Sequence, residues 1–293
     1  MMNVGFEFET NNKTIEKRAY CQYDPTVDFE RSVGGLRIFL PTAVGYINYN
    51  IVHSVHEGKN CDMWRLGKAF ARDDELMNEY ELTPKGAEWD MALRIEGRKD
   101  FIGGYAHGDE IFNSITVKVD GRAVEMESLV ELTPFEKIVI TVGSVGYDPD
   151  DSVTEAIKHF KEYVIDKKGI ELNPRVEWLG EYSLVSCFMA MMPPLKTLTE
   201  SFYTNVDETP KEAITNYGTV LKATEAVVYG PSLRYTMSIP RYPSLPGGDR
   251  FSMTDNRGCA YNKMYFRVCH GNTVSKGDVW ESTTKYSITN GEA

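Results

Sequence analysis

Near the end of the chain, the stretch AYNKMYFRVCHG (residues 260–271) puts two phenols, an ammonium and a guanidinium at every second position. Tyr261, Lys263, Tyr265 and Arg267 alternate with Met264, Phe266 and Val268. In an extended strand, alternate side chains point to opposite faces, so this pattern predicts one apolar face and one wholly polar one. Phenols stack on sugar rings and can donate a proton. Lys and Arg pair with carboxylates or sulfates, Arg bidentately. The strand therefore has the chemistry of a surface that binds an acidic saccharide. An ordinary solvent-facing strand would carry similar residues.

A second group lies upstream, in RIEGRKDFIGGYAHGDEIF (residues 94–112). Gly103 and Gly104 interrupt a strand pattern, which marks a bulge or the close approach of another chain or ligand. His107, Asp109 and Glu110 follow within four residues, and Arg98 precedes them. A histidine with a carboxylate nearby can act as a general base with an orienting partner. If the strand continues, His107 and Asp109 share a face and Glu110 takes the other. The alternative is a polar loop turning at Gly108.

His53 and His56 lie in YINYNIVHSVHEGKNCD (residues 46–62), which alternates like a strand. An H-x-x-H pair on a strand points its rings apart, and no Cys or Asp spacing completes a tetrahedral zinc site. His53 then reads as a groove wall or a hydrogen-bonded residue on a half-buried face. His159 reads as structural. No G-x-S-x-G elbow, P-loop or Rossmann glycine pattern is present, which removes the best evidence for serine hydrolase, NTPase and dinucleotide chemistry.

These groups need a scaffold, and the strand signals dominate. The chain has 293 residues, 42% of them hydrophobic, so a large core is available. Short alternating runs recur at roughly ten-residue spacing, with Asp120-Gly121 as a strong hairpin signal. The expected class is mainly β: an antiparallel sandwich or jelly roll forming one domain over residues 1–293. Two β-subdomains joined near 150–170 are the alternative. One helix is predicted over residues 152–168. Ser152 and Glu155 make a capping box, Val153, Ile157, Phe160 and Val164 fall on one stripe, and Gly169 stands at the end. A shorter helix is expected at 73–80, and a polar loop at 197–218.

Net charge is −11 and the isoelectric point is near 5.1. Such a chain lacks the basic footprint of a nucleic-acid or anionic-membrane binder, while a local basic groove remains compatible with it. The five cysteines are odd in number and form no C-x-x-C, so five reduced thiols are expected rather than a disulfide framework. No signal peptide or membrane-spanning stretch is visible in this sequence. The expected settings are the cytoplasm, a phage particle, or export with a leader removed.

The stretch YNKMYF resembles the Tyr-x-Lys strand motif of jelly-roll polysaccharide lyases of the alginate-lyase-like kind. GGYAHGDE is more loosely similar to their histidine-bearing motif. The resemblance covers about 20 residues; the glycine after Tyr-x-Lys and the Arg-x-Glu strand motif are absent. It implies β-elimination on a uronate polymer or oligosaccharide, with no metal or cofactor. Arg98, Lys263 or Arg267 would neutralise the carboxylate. His107 or a tyrosinate would take the C5 proton, and Tyr261 or Tyr265 would protonate the leaving oxygen. Two other classes share these residues. A glycoside hydrolase would pair Asp109 or Glu110 with Glu96, Glu177 or Glu181. A glycan- or receptor-binding module would need no base.

Overall fold

The computed structural model describes residues 16–27, 32–84, 89–213, 217–243, 245, 250–255 and 258–291. Strands dominate, and they fall into two sheets.

The larger sheet is mixed and rolls into a barrel-like form. At its middle, Glu110–Val119 pairs antiparallel with Lys137–Tyr147, which continues to Glu155–Asp166 and then Gly169–Trp178. The ladder goes on through Thr283–Asn290, Leu233–Arg241, Glu225–Tyr229 and Ser201–Thr204. In the other direction, a short parallel contact, Cys61 against Glu110, joins Glu110–Val119 to Cys61–Arg72. Gly45–His56, Ser32–Thr42 and Tyr20–Asp24 follow, all antiparallel. The roll brings the two directions together: the Ile288 N–H donates to the Tyr49 hydroxyl at 2.9 Å.

The smaller sheet has six antiparallel strands among the described residues. Asn262–Cys269 lies between Arg250–Asp255 and Tyr182–Met192, and Ala92–Ile95 pairs with the far side of Tyr182–Met192. The alternation read from residues 260–271 is present here. Met264, Phe266 and Val268 are buried in the main core, while Lys263 and Arg267 are half-buried on the opposite face. The same core takes side chains from both sheets, such as Ile140 and Leu172 from one and Phe251 and Cys187 from the other.

The mainly antiparallel β class stands, but the pairings do not spell out a jelly-roll order, and the expected helix is absent. Residues 155–166 form a strand. Ile157, His159, Lys161, Tyr163 and Ile165 are buried, whereas Phe160 is exposed. Two of the five inward positions are His and Lys, so the true period of two is hidden. The 3.6-residue stripe was built from Phe160 and Val164, which sit on the outer face. Ser152 caps no helix; it takes a left-handed turn conformation at φ 56°.

The other two local expectations also change. Residues 73–80 run through a turn built on Asp73 into the strand Glu79–Glu81. The stretch 197–218 contains the hairpin Ser201–Thr204 with Asp207–Glu212. The Asp120-Gly121 hairpin forms as expected, with φ of 49° and 81° and Val119 opposite Arg122.

Candidate functional site

The polar face of Asn262–Cys269 is roofed by the loop that follows Ala92–Ile95. Between them is a cavity of about 260 Å³. Lys263 and Tyr265 come from one strand, and Ser252 and Thr254 from its neighbour. Phe188, Met191 and Ala92 complete the sheet side, while Phe101 and His107 descend from the loop. Three aromatic rings give it flat walls. Phe188 and Tyr265 meet edge-on at 5.3 Å between ring centres, and the His107 ring lies 4.7 Å from Phe101. The Lys263 ammonium sits over the Tyr265 ring at 5.5 Å, within cation–π range.

The loop is tight because of its glycines. Gly103 N–H donates to Gly108 O at 3.0 Å, and Gly108 N–H to Gly104 O at 2.9 Å. Gly103, Gly104 and Gly108 all have positive φ, a conformation that favours glycine. This closure brings residues seven apart together: His107 Nδ1 lies 2.7 Å from Asp100 Oδ1. Burial works against the Asp100 charge. The Phe101 N–H, His107 and Lys59 outweigh it and hold the carboxyl below its ordinary range. Asp100 thus stays an anion that can orient the imidazole through Nδ1.

The structure brings His107, Lys263 and Tyr265 to this cavity. Tyr261 lies just before the strand, in an isolated bridge with Leu195, and is not among the lining residues. Arg267 is on the same strand face as Lys263, opposite Phe188 and Arg250 in register, and lies beyond the lining. Arg98 is engaged elsewhere. Its Nε donates to Asp148 Oδ2 at 2.7 Å, and Nη1 lies 3.9 Å from Asp150.

Asp109 and Glu110 point to different places, as the alternation predicts, but Asp109 does not line this cavity with His107. Asp109 is buried and accepts from the Asn60 amide at 3.4 Å; it lines a neighbouring cavity instead. Glu110 turns into the barrel. Its side chain is 1% exposed, with Oε1 accepting from Ser144 Oγ at 2.6 Å and lying 3.0 Å from His159 Nδ1. Burial opposes its charge, but Lys161 and His159 hold it well below the usual carboxylate range. Glu110 is therefore a core ion, not a substrate contact, which removes it from the expected pairing with Glu96, Glu177 or Glu181. His53 belongs to the larger sheet. It lies 2.6 Å from Asp62 Oδ1 and stacks on Trp64 at 4.9 Å.

Sequence reasoning missed Asp100, Phe101, Phe188, Ser252 and Thr254. The Gly103-Gly104 pair was the signal for Asp100, since a turn there returns the chain onto itself. Nothing in one sequence places the three strands side by side.

No family model matches the chain, and no curated protein matches it. Among solved structures, it is similar to a galactose mutarotase-like protein from Clostridium acetobutylicum, with 9% identity over 94% of this chain and 100% of that one, and a TM-score of 0.49. It is also similar to the galactosidase domain of an alpha-galactosidase-sucrose kinase, with 10% identity over 87% of this chain and 41% of that one, and a TM-score of 0.42.

Proposed function

We propose that the cavity binds an acidic sugar and that His107 moves a proton at the carbon beside its carboxylate. The observation that carries this is the placement of His107, backed by Asp100, and Lys263 on one aromatic-walled cavity. The rings of Phe101, Phe188 and Tyr265 suit the flat faces of a pyranose, and Ser252 and Thr254 offer hydroxyls to its own. Lys263 is the cation for the sugar carboxylate. Pairing there stabilises the charge that builds up when the adjacent C5–H is removed.

With Nδ1 against Asp100, Nε2 is the nitrogen that takes the proton. In β-elimination the C5–H pair then becomes the C4–C5 double bond and the C4–O bond breaks. The leaving oxygen takes a proton from the Tyr265 hydroxyl. Hydrolysis is the weaker reading, because no carboxylate is among the described residues lining the cavity. The test is to incubate the protein with polymers of galacturonate, mannuronate, guluronate and glucuronate. The C4–C5 unsaturated product absorbs in the ultraviolet. Its release from one polymer is the expected result; reducing ends without that absorbance would mean hydrolysis, and binding alone would mean no enzyme.

A further inference from the structure

His107 is a wall of two cavities. The second, of about 360 Å³, is lined by Lys59, Asn60, Lys99, Asp100, Asp109 and Ser152 among others. The first offers aromatic faces. The second offers ammonium groups, carboxylates and an amide, which together can donate to and accept from a ring bearing both hydroxyls and a carboxylate.

Its rim is also held in costly backbone. Asn60, Asp109 and Ser152 have φ of 48°, 52° and 56°. They are three of the six non-glycine residues with positive φ among the described residues. Such conformations persist where the surroundings over-determine them, and they gather at ligand sites. Here the ties are visible. Asn60 Nδ2 donates to Ser152 O at 3.2 Å, the Asp109 N–H to Lys59 O at 2.9 Å, and the Ser152 N–H to Asp148 O at 2.8 Å. Three separate segments are locked together around one opening.

We infer that this second cavity is a subsite for the next sugar of an acidic oligosaccharide, with the linkage between the two sugars lying over His107. The inference rests on the reading of the aromatic cavity as a sugar site. Size supports it: about 260 Å³ falls just below the roughly 300–1,000 Å³ of pockets that hold drug-sized ligands, so the first cavity suits one ring rather than a chain. A longer substrate must continue past His107, and the second cavity is what it meets. Lys59 is shared with Asp100 at 3.5 Å, whereas Lys99 is exposed. Lys99 is thus the cation for the second carboxylate.

The test is calorimetric titration of galacturonic acid and its dimer and trimer, with the matching mannuronate series, against His107→Gln protein with and without Lys99→Ala. The dimer and trimer of one series should bind about tenfold tighter than the monomer or better. Lys99→Ala should remove that gain and leave monomer affinity within about twofold. Equal affinity at every length, with the monomer bound, overturns the subsite but leaves the aromatic cavity as a sugar site. A length gain that survives Lys99→Ala puts the second sugar elsewhere and overturns the inference. If no member of these series, nor of the matching guluronate and glucuronate series, binds, the sugar reading falls and the subsite with it.

Discussion

Lys161 and Glu110 face each other inside the barrel with Nζ 3.6 Å from Oε1, and neither side chain is more than 1% exposed. Lys161 also donates to the Trp64 carbonyl at 2.6 Å and lies 3.4 Å from Asp90 Oδ2. Tyr163 donates to the same Asp90 oxygen at 2.7 Å. The strand Glu155–Asp166 thereby ties Glu110–Val119, Cys61–Arg72 and the segment around Asp90 together by charge as well as by packing.

Removing one member of a buried ion pair strands the other in a medium that solvates it poorly, which costs about 3–5 kcal/mol. Lys161→Met should therefore lower the urea-unfolding free energy by an amount of that order. The double variant Lys161→Met, Glu110→Gln should recover part of the loss, because Glu110 no longer leaves a buried charge and Asp90 keeps the hydrogen bond from Tyr163. A Lys161→Met protein as stable as wild type would show that these buried contacts add no net stability.

Acid should weaken the fold through the same carboxylate. Glu110 is held below its ordinary value of 4.5 in the folded state, so the folded form binds the proton less readily than the unfolded chain. Its contribution is then complete above about 4.5 and is lost as pH falls toward the depressed folded value. Thermal melts between pH 7 and pH 3 should fall in the acid range, and Glu110→Gln should show a shallower fall. Parallel curves would assign the acid sensitivity to other groups.

The thiols offer a direct count. All five cysteines are free; Cys259 is exposed and the other four are buried. Burial pushes the Cys21 thiol up to about 12, and Cys61 likewise to about 12. A chromogenic disulfide reagent at neutral pH should find one reactive thiol in the native protein and five after denaturation. Fewer than five in denaturant without reductant would mean that a disulfide forms.

At the cavity, His107→Gln should keep the circular dichroism of the fold and lower turnover by about a hundredfold or more, as loss of a general base does. Asp100→Asn should lower it less, since its work is to orient the imidazole. Full activity in His107→Gln on a polymer that wild type cleaves would place the base elsewhere.

The sequence shows the strand at 262–269 plainly because apolar residues fill one face without a gap. It hides the strand at 155–166 because His159 and Lys161 occupy inward positions, where the Glu110 and Asp90 carboxylates hold them. Those partners lie 49 and 71 residues away, so no local pattern reveals them. The parting of Asp109 from Glu110 was legible, since alternation put them on opposite faces. Adjacent in the chain, they part because Glu110 opens a strand whose first side chain points into the barrel, while Asp109 stands in a left-handed turn just outside it. His107 was legible by residue type and Asp100 was not, since their contact depends on how the glycine loop closes.

That loop supplies the last prediction. Gly108 has φ 85°, and a methyl group there would run into the Lys59 carbonyl oxygen, which is backbone and cannot swing aside. Gly108 also carries two of the hydrogen bonds that close the loop over the cavity. Gly108→Ala should therefore displace residues 103–109 and move His107 away from the Lys263 side of the site. Gly97 has a comparable φ of 76° but open space around it, so Gly97→Ala isolates the conformational cost, on the order of 1 kcal/mol. The expected outcome is that Gly97→Ala loses a little stability and keeps activity, while Gly108→Ala loses more stability and most turnover. If Gly108→Ala matches Gly97→Ala in both measurements, the loop does not hold His107 in place, and the positioning must come from the Asp100 contact alone.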